Sequence, residues 1–338
     1  MNLNGERLDE WFLKLEGSQS LSCFPHGENY FSKYKQISQQ LFKWVHPEVG
    51  VGAASSGSQM LTNHGSDHIK TLFARVTQFI DENDYCTLNP FEIYVLLMAI
   101  HVHDVGNILG RERHEFNSQK IIEMLGDGVV GQDYWIWEYV YDIAKAHKGY
   151  QIEMLPEKEH LHEIPFRPQI LAAMLKFADE LAENFSRASN VNIKLENVRP
   201  ENLLYHMLAS TINTILPVPK GREVKMIFNI REDQLKVKYK KGEEEIYLVD
   251  EIYLRTLKTH SEKIYCSKFM RPTINFDVIK VTLNIKLKDG TKIQRGYELK
   301  ERVIESITLD EVHKILPELN GQSGREIHEL IEKGEFTR

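Results

Sequence analysis

Apolar positions recur at three- and four-residue intervals over residues 28–45, where Tyr30, Phe31, Tyr34, Ile37, Leu41, Trp44 and Val45 share one helical face. Pro47 predicts the end of that helix. Small residues fill 49–58, which reads as a connecting loop delivering the chain to its first histidines. Helical periodicity returns over 69–80 with Ile69, Leu72, Phe73, Val76, Phe79 and Ile80. Asn89 is placed to cap a further helix, and Pro90 to occupy its first turn. That helix is apolar from Tyr94 to Ile100, so it should lie inside the fold. Segments 115–125, 133–147 and 168–187 also read as helices, the last opened by Pro168.

After about residue 215 the period falls to two. Met226, Phe228 and Ile230 alternate with other residues, as do Leu235, Val237 and Tyr239, and Val281, Leu283, Ile285 and Leu287. Asp289 and Gly290 mark a hairpin turn between strands at 281–287 and 292–298, and a helix over roughly 246–264 separates the strand pairs. Helical tail segments begin at Thr308 and Ser323, each followed three residues on by glutamate as in a capping box. The expected class is α+β: a mostly α-helical domain over 1–200, then a smaller α+β domain over 201–338 with antiparallel strands and C-terminal helices.

Composition narrows this picture. A chain of 338 residues, 42% hydrophobic, buries a large core without staples, and Cys23, Cys86 and Cys266 form no CxxC pair. No basic segment leads into an apolar stretch at the N-terminus, and the apolar run is too short for a bilayer span. A cytoplasmic protein without a membrane partner is expected, homo-oligomerisation being left open. The net charge of −7 argues against a surface coated for nucleic acid, although a local basic face is compatible with it.

Histidine placement carries the chemistry. Eight of fourteen histidines fall between 64 and 162, and His103 is followed by Asp104 at the end of the apolar helix. Imidazole and carboxylate without nearby thiolate suit an open site for divalent ions such as Mn, Fe, Co, Ni, Mg or Zn better than a structural zinc. The order His, His-Asp, His, His, Asp over residues 28–195 resembles the HD-domain metal-dependent phosphohydrolase superfamily in its two-metal form. That resemblance implies a first metal held by His68, His103, Asp104 and Asp179, with Asp104 bridging to a second held by His114 and His147. His68 is preferred to His64 because it opens the amphipathic run 69–80; His64 would then support a ligand or meet the scissile phosphate, and the reverse assignment stays open. Asp67 would orient an imidazole or cap the helix, and His101 would pack in the core.

The same resemblance implies a phosphomonoester or phosphodiester of a nucleotide as substrate, cleaved through a metal-bridged hydroxide. Arg111, Arg113, Lys145 and Lys148, next to the ligands, are candidates to position phosphoryl oxygens. Glu183 and Arg187 would share the helix face of Asp179 and orient water or substrate. Residues 220–241 hold eight basic against three acidic side chains, among them Lys236, Lys238 and Lys240, a pattern open to a polyphosphate or nucleic-acid backbone and equally to a solvated sheet face. A nuclease acting on single-stranded DNA or RNA, a non-catalytic nucleotide sensor and an iron oxygenase are the alternatives.

Overall fold

The computed structural model describes residues 3–49, 65–81, 83, 86–110, 112–126, 134–148, 150–183, 199–300, 302 and 304–336. They form two compact units, Met1–Ala182 with Cys266–Asn275, and Glu183–Tyr265 with Phe276–Arg338. The first unit thus takes in a short later segment that a division at residue 200 leaves out.

The first unit is helical. It contains α1 (Leu8–Lys14), α2 (Tyr30–Gln40), α3 (Ser66–Ile80), α4 (Pro90–Val102), α5 (His114–Met124), α6 (Tyr134–Lys145) and α7 (Pro168–Glu180), with a small hairpin, β1 (Glu159–Leu161) and β2 (Ile164–Phe166), before α7. α4 is the axis of the core. Residues 91–102 are all buried, and the helix packs against α2, α3, α6 and α7. Helical residues 90–109 would be apolar and long enough to cross a membrane, but 89% of the most apolar stretch is buried within the fold. Its all-round hydrophobicity is therefore that of a core helix.

Capping explains where α4 starts. The Asn89 side chain accepts from the Glu92 N–H, and the Glu92 carboxylate accepts from the Asn89 N–H. The same carboxylate takes a bidentate pair from Arg167, the N-cap residue of α7, at 2.7 and 2.8 Å. α4 and α7 each run for 13 residues from this clamp, so their far ends arrive at the same level. His103 follows one end and Asp179 lies in the last turn of the other.

Pro47 does not end the second helix. α2 passes into a π-helical turn, Leu41–Val45, and helical geometry continues to residue 49. The His46 N–H reaches five residues back to Leu41, which widens the turn where proline lacks a donor of its own. The helix expected over 168–187 is shorter than the pattern implied. It stops at Glu180, and the Leu181 carbonyl just beyond accepts from Arg75 Nε at 2.8 Å.

In the second unit α8 (Pro200–Thr211) leads into β3 (Ile212–Val218) and β4 (Glu223–Arg231). A one-turn α9 (Glu232–Leu235), the hairpin β5 (Lys238–Lys241) and β6 (Glu244–Tyr247), and α10 (Leu248–Met270) follow. β7 (Val278–Lys286), β8 (Lys292–Leu299), α11 (Leu309–Ile315) and α12 (Gly324–Glu332) complete it. The sheet order is β3-β4-β7-β8, antiparallel except for the central β4–β7 pair, which is parallel because α10 lies in the connection between them. Leu235 closes α9 instead of alternating along a strand, which leaves Val237 47% exposed. Ser323 makes the expected capping box, whereas Glu311 leaves the Thr308 N–H and accepts from Glu305.

Candidate metal centre

Five helix ends deliver the side chains: the starts of α3 and α5 and the far ends of α4, α6 and α7. α4 ends at Val102, leaving the Ile100 carbonyl without its helical partner, and His103 Nδ1–H fills that role at 2.8 Å. α6 ends at Lys145, and His147 Nδ1–H caps the Ala144 carbonyl in the same way at 2.6 Å. Each carbonyl fixes the ring tautomer, so Nε2 of the neutral ring carries a lone pair pointed inward. His114, at the start of α5, sets Nδ1 3.4 Å from the Glu115 carboxylate, which leaves its Nε2 facing the same space.

The inward atoms form two triads. His68, His103 and Asp179 make one, and Asp104, His114 and His147 the other, with the donor atoms of each within 4.8 Å of one another. In the first, His68 Nε2 lies 3.3 Å from His103 Nε2 and 3.2 Å from Asp179 Oδ1. In the second, His114 Nε2 lies 3.2 Å from His147 Nε2 and 3.1 Å from Asp104 Oδ1. Donors about 2.0–2.2 Å from one ion are roughly 3–3.5 Å apart, so this is the spacing of neighbouring ligands.

Asp104 joins the two. Its Oδ1 faces His114 and His147 at 3.1 and 3.8 Å, while Oδ2 faces His103 and His68 at 3.5 and 3.7 Å. Asn107 Nδ2 holds Oδ1 at 2.9 Å and the Asp104 carbonyl at 3.0 Å. The negative ends of α4, α6 and α7 add to the carboxylates, and the whole cluster favours cations. The donor chemistry and spacing fit divalent metal.

The metal-free electrostatics agree. Burial opposes charge on His103, but Asp104 and Asp179 outweigh it and push its pKa up to about 9. Burial and the neighbouring His103 hold His147 down to about 3. Desolvation would raise the Asp179 carboxyl, yet the hydrogen bond from His68 and the charge on His103 keep it well below the carboxylate range. The cluster thus keeps a proton on His103 to balance its carboxylates, and a bound cation would displace it. Asp179, with 29% of its side chain exposed, is the most open of the six to solvent.

The other expected residues fare differently. Asp67 is exposed and pairs with Lys70, and Gly65 occupies the N-cap position, so Asp67 does not cap α3 and meets no imidazole among the described residues. Arg113 is exposed and lies over the Phe116 ring, Lys145 pairs with Asp142 at 2.9 Å, and Lys148 is exposed. Glu183 lies beyond the end of α7 and 3.6 Å from Arg255, so it does not share the helix face of Asp179. His64, Arg111 and Arg187 lie outside the described residues. His101 is fully buried, with Nδ1 2.9 Å from His46 Nε2 and Nε2 3.4 Å from the Tyr34 hydroxyl.

Sequence reasoning passed over three supports. The Glu115 carboxylate lies 3.4 Å behind His114 Nδ1, Asn107 holds Asp104, and Lys176 Nζ donates to the His147 carbonyl at 3.0 Å. Their proximity in sequence to ligands was the available signal, Lys176 standing one helical step before Asp179. A family model described as HD-CE matches residues 58–256. No curated protein and no solved structure matches the chain.

Proposed function

The chain belongs to the HD-CE family, and from that premise we propose that its histidine and aspartate centre holds two divalent ions and hydrolyses a phosphomonoester or phosphodiester of a nucleotide. Family membership and the candidate metal centre point to a metal-dependent hydrolase. The observation that carries the finer reading is the divided carboxylate of Asp104, one oxygen turned to each pair of histidines. His68, His103 and Asp179 would hold one ion, and His114 and His147 the other.

Bound divalent ions would supply Lewis acidity toward a phosphoryl oxygen and bring the pKa of a bound water toward neutrality. The chain's own residues do the positioning. Asn107 fixes the bridging carboxylate, the Ile100 and Ala144 carbonyls fix the His103 and His147 tautomers, and Lys176 fixes the backbone behind His147. Asp179 marks the side from which a phosphoester reaches the centre.

Purified protein should contain metal and hydrolyse at least one member of a panel of nucleotides, cyclic nucleotides and dinucleotides. His103→Ala and Asp104→Ala should abolish that turnover. Unchanged turnover in both variants with metal supplied would sink the proposal.

A further inference from the structure

The open face of the four-stranded sheet carries chemistry that the metal centre leaves unused. β4, β7 and β8 are in register, so alternate residues form rows across three strands. One row is Asn229, Asn284 and Gln294, whose amides are chained: Asn284 Nδ2 donates to Asn229 Oδ1 at 3.0 Å, and Gln294 Nε2 to Asn284 Oδ1 at 2.9 Å. The next row is Arg231, Lys286 and Lys292, three cations directly opposite one another.

Like charges facing across strands repel and work against pairing. Elsewhere the same face avoids this. Lys225 and Lys280 share Glu223, and Lys280 stands opposite Glu298. In the cation row, Arg231 has Asp233 at 3.1 Å, but neither Lys286 nor Lys292 has an ion-pair partner among the described residues. The two rows line a groove of about 1000 Å³, at the upper end of small-molecule sites.

We propose that this groove binds a nucleoside polyphosphate, the cation row taking the phosphates and the amide row the base or ribose. Adjacent strands are about 4.8 Å apart, so the row spans roughly 10 Å, too long for one phosphate and suited to a chain of two or three. The amide chain leaves an Asn229 N–H and the Gln294 carbonyl to meet a ligand carrying both donors and acceptors. Among the described residues no aromatic side chain lines the groove, and none offers the stacking platform of a single-strand site. Every residue invoked belongs to the second unit, and the inference is independent of the metal centre.

The test uses the full chain carrying His103→Ala and Asp104→Ala, in a chelator, so that the metal centre does not contribute. Each of the four ribonucleoside triphosphates is titrated by calorimetry. At least one should bind, and roughly tenfold or more weaker after Lys286→Gln with Lys292→Gln, the loss shrinking as salt rises. Asn284→Ala should weaken that nucleotide several-fold while leaving inorganic tripolyphosphate unchanged; Lys225→Gln should alter neither. Absence of binding by all four triphosphates, or indifference to the paired lysine change, overturns the proposal. So does a ten-residue oligodeoxyadenylate that binds more tightly than every triphosphate through the same lysines.

Discussion

Gly106→Ala tests how tightly Asp104, the proposed bridge, and the neighbouring His114 are assembled. Gly106 sits in the turn after Asp104, and its N–H donates to Ser118 Oγ at 3.1 Å. A Cβ there would lie 1.9 Å from the His114 carbonyl oxygen and 2.8 Å from its carbon, both backbone atoms that cannot swing aside. Real Cβ atoms keep at least 3.0 Å from such neighbours, so the turn and the start of α5 must separate by about 1.1 Å. Metal ligands tolerate errors of about 0.2 Å, and displacements near 1 Å cost on the order of 100-fold in rate. Overpacking of this kind costs about 1–3 kcal/mol in stability, which leaves a folded protein to assay. Elemental analysis should show the variant losing the ion proposed for His114 and His147, and turnover should fall by about 100-fold. The control is Gly296→Ala, where a Cβ meets only the Val281 oxygen at 3.2 Å, and it should keep full metal content. If Gly106→Ala retains wild-type metal content and turnover, the close approach that assembles the centre is wrong.

Three further outcomes follow from particular contacts. Arg167→Met strands the Glu92 carboxylate, 1% exposed, and should cost about 3 kcal/mol in chemical denaturation; a loss under about 1 kcal/mol would show that the clamp between α4 and α7 is dispensable. Asn107→Ala releases Asp104 without removing a ligand, so metal affinity should drop about 10- to 100-fold in a competition titration, and an unchanged affinity would contradict its role. Burial holds His46 down to about 3, below its unfolded value of 6.5, so the unfolded chain takes up the proton first as pH falls. The His46 contribution to stability should therefore be full above about pH 7 and decline below 6.5, falling by about 2 kcal/mol by pH 5. In metal-free protein, urea unfolding at pH 7 and pH 5 should show a smaller decline for His46→Gln than for wild type; equal declines would refute the assignment.

Helix periods, the Asn89 cap and the ordered histidines and aspartates are local properties, and the sequence alone was sufficient for them. An apolar stripe must be buried whatever covers it, and Pro90 and Pro168 begin helices because each supplies the first-turn geometry and lacks only an N–H that would have no helical partner. The resemblance carried by that order placed His68, with His64 as the alternative, and His103, Asp104, His114, His147 and Asp179 in one candidate set, and the fold brings these six together. What the pattern left out depends on partners distant in the chain. Arg75 takes the Leu181 carbonyl at the point where α7 ends, so Glu183 leaves the face of Asp179. Arg167 reaches back 75 residues to Glu92 and sets α4 and α7 level. Asn229, Asn284 and Gln294 are unremarkable along the chain and become a row only when a parallel crossover brings their strands into register. Periodicity records which face of an element is wet or dry; which faces meet, and at what height, is decided by contacts between residues that the sequence keeps far apart.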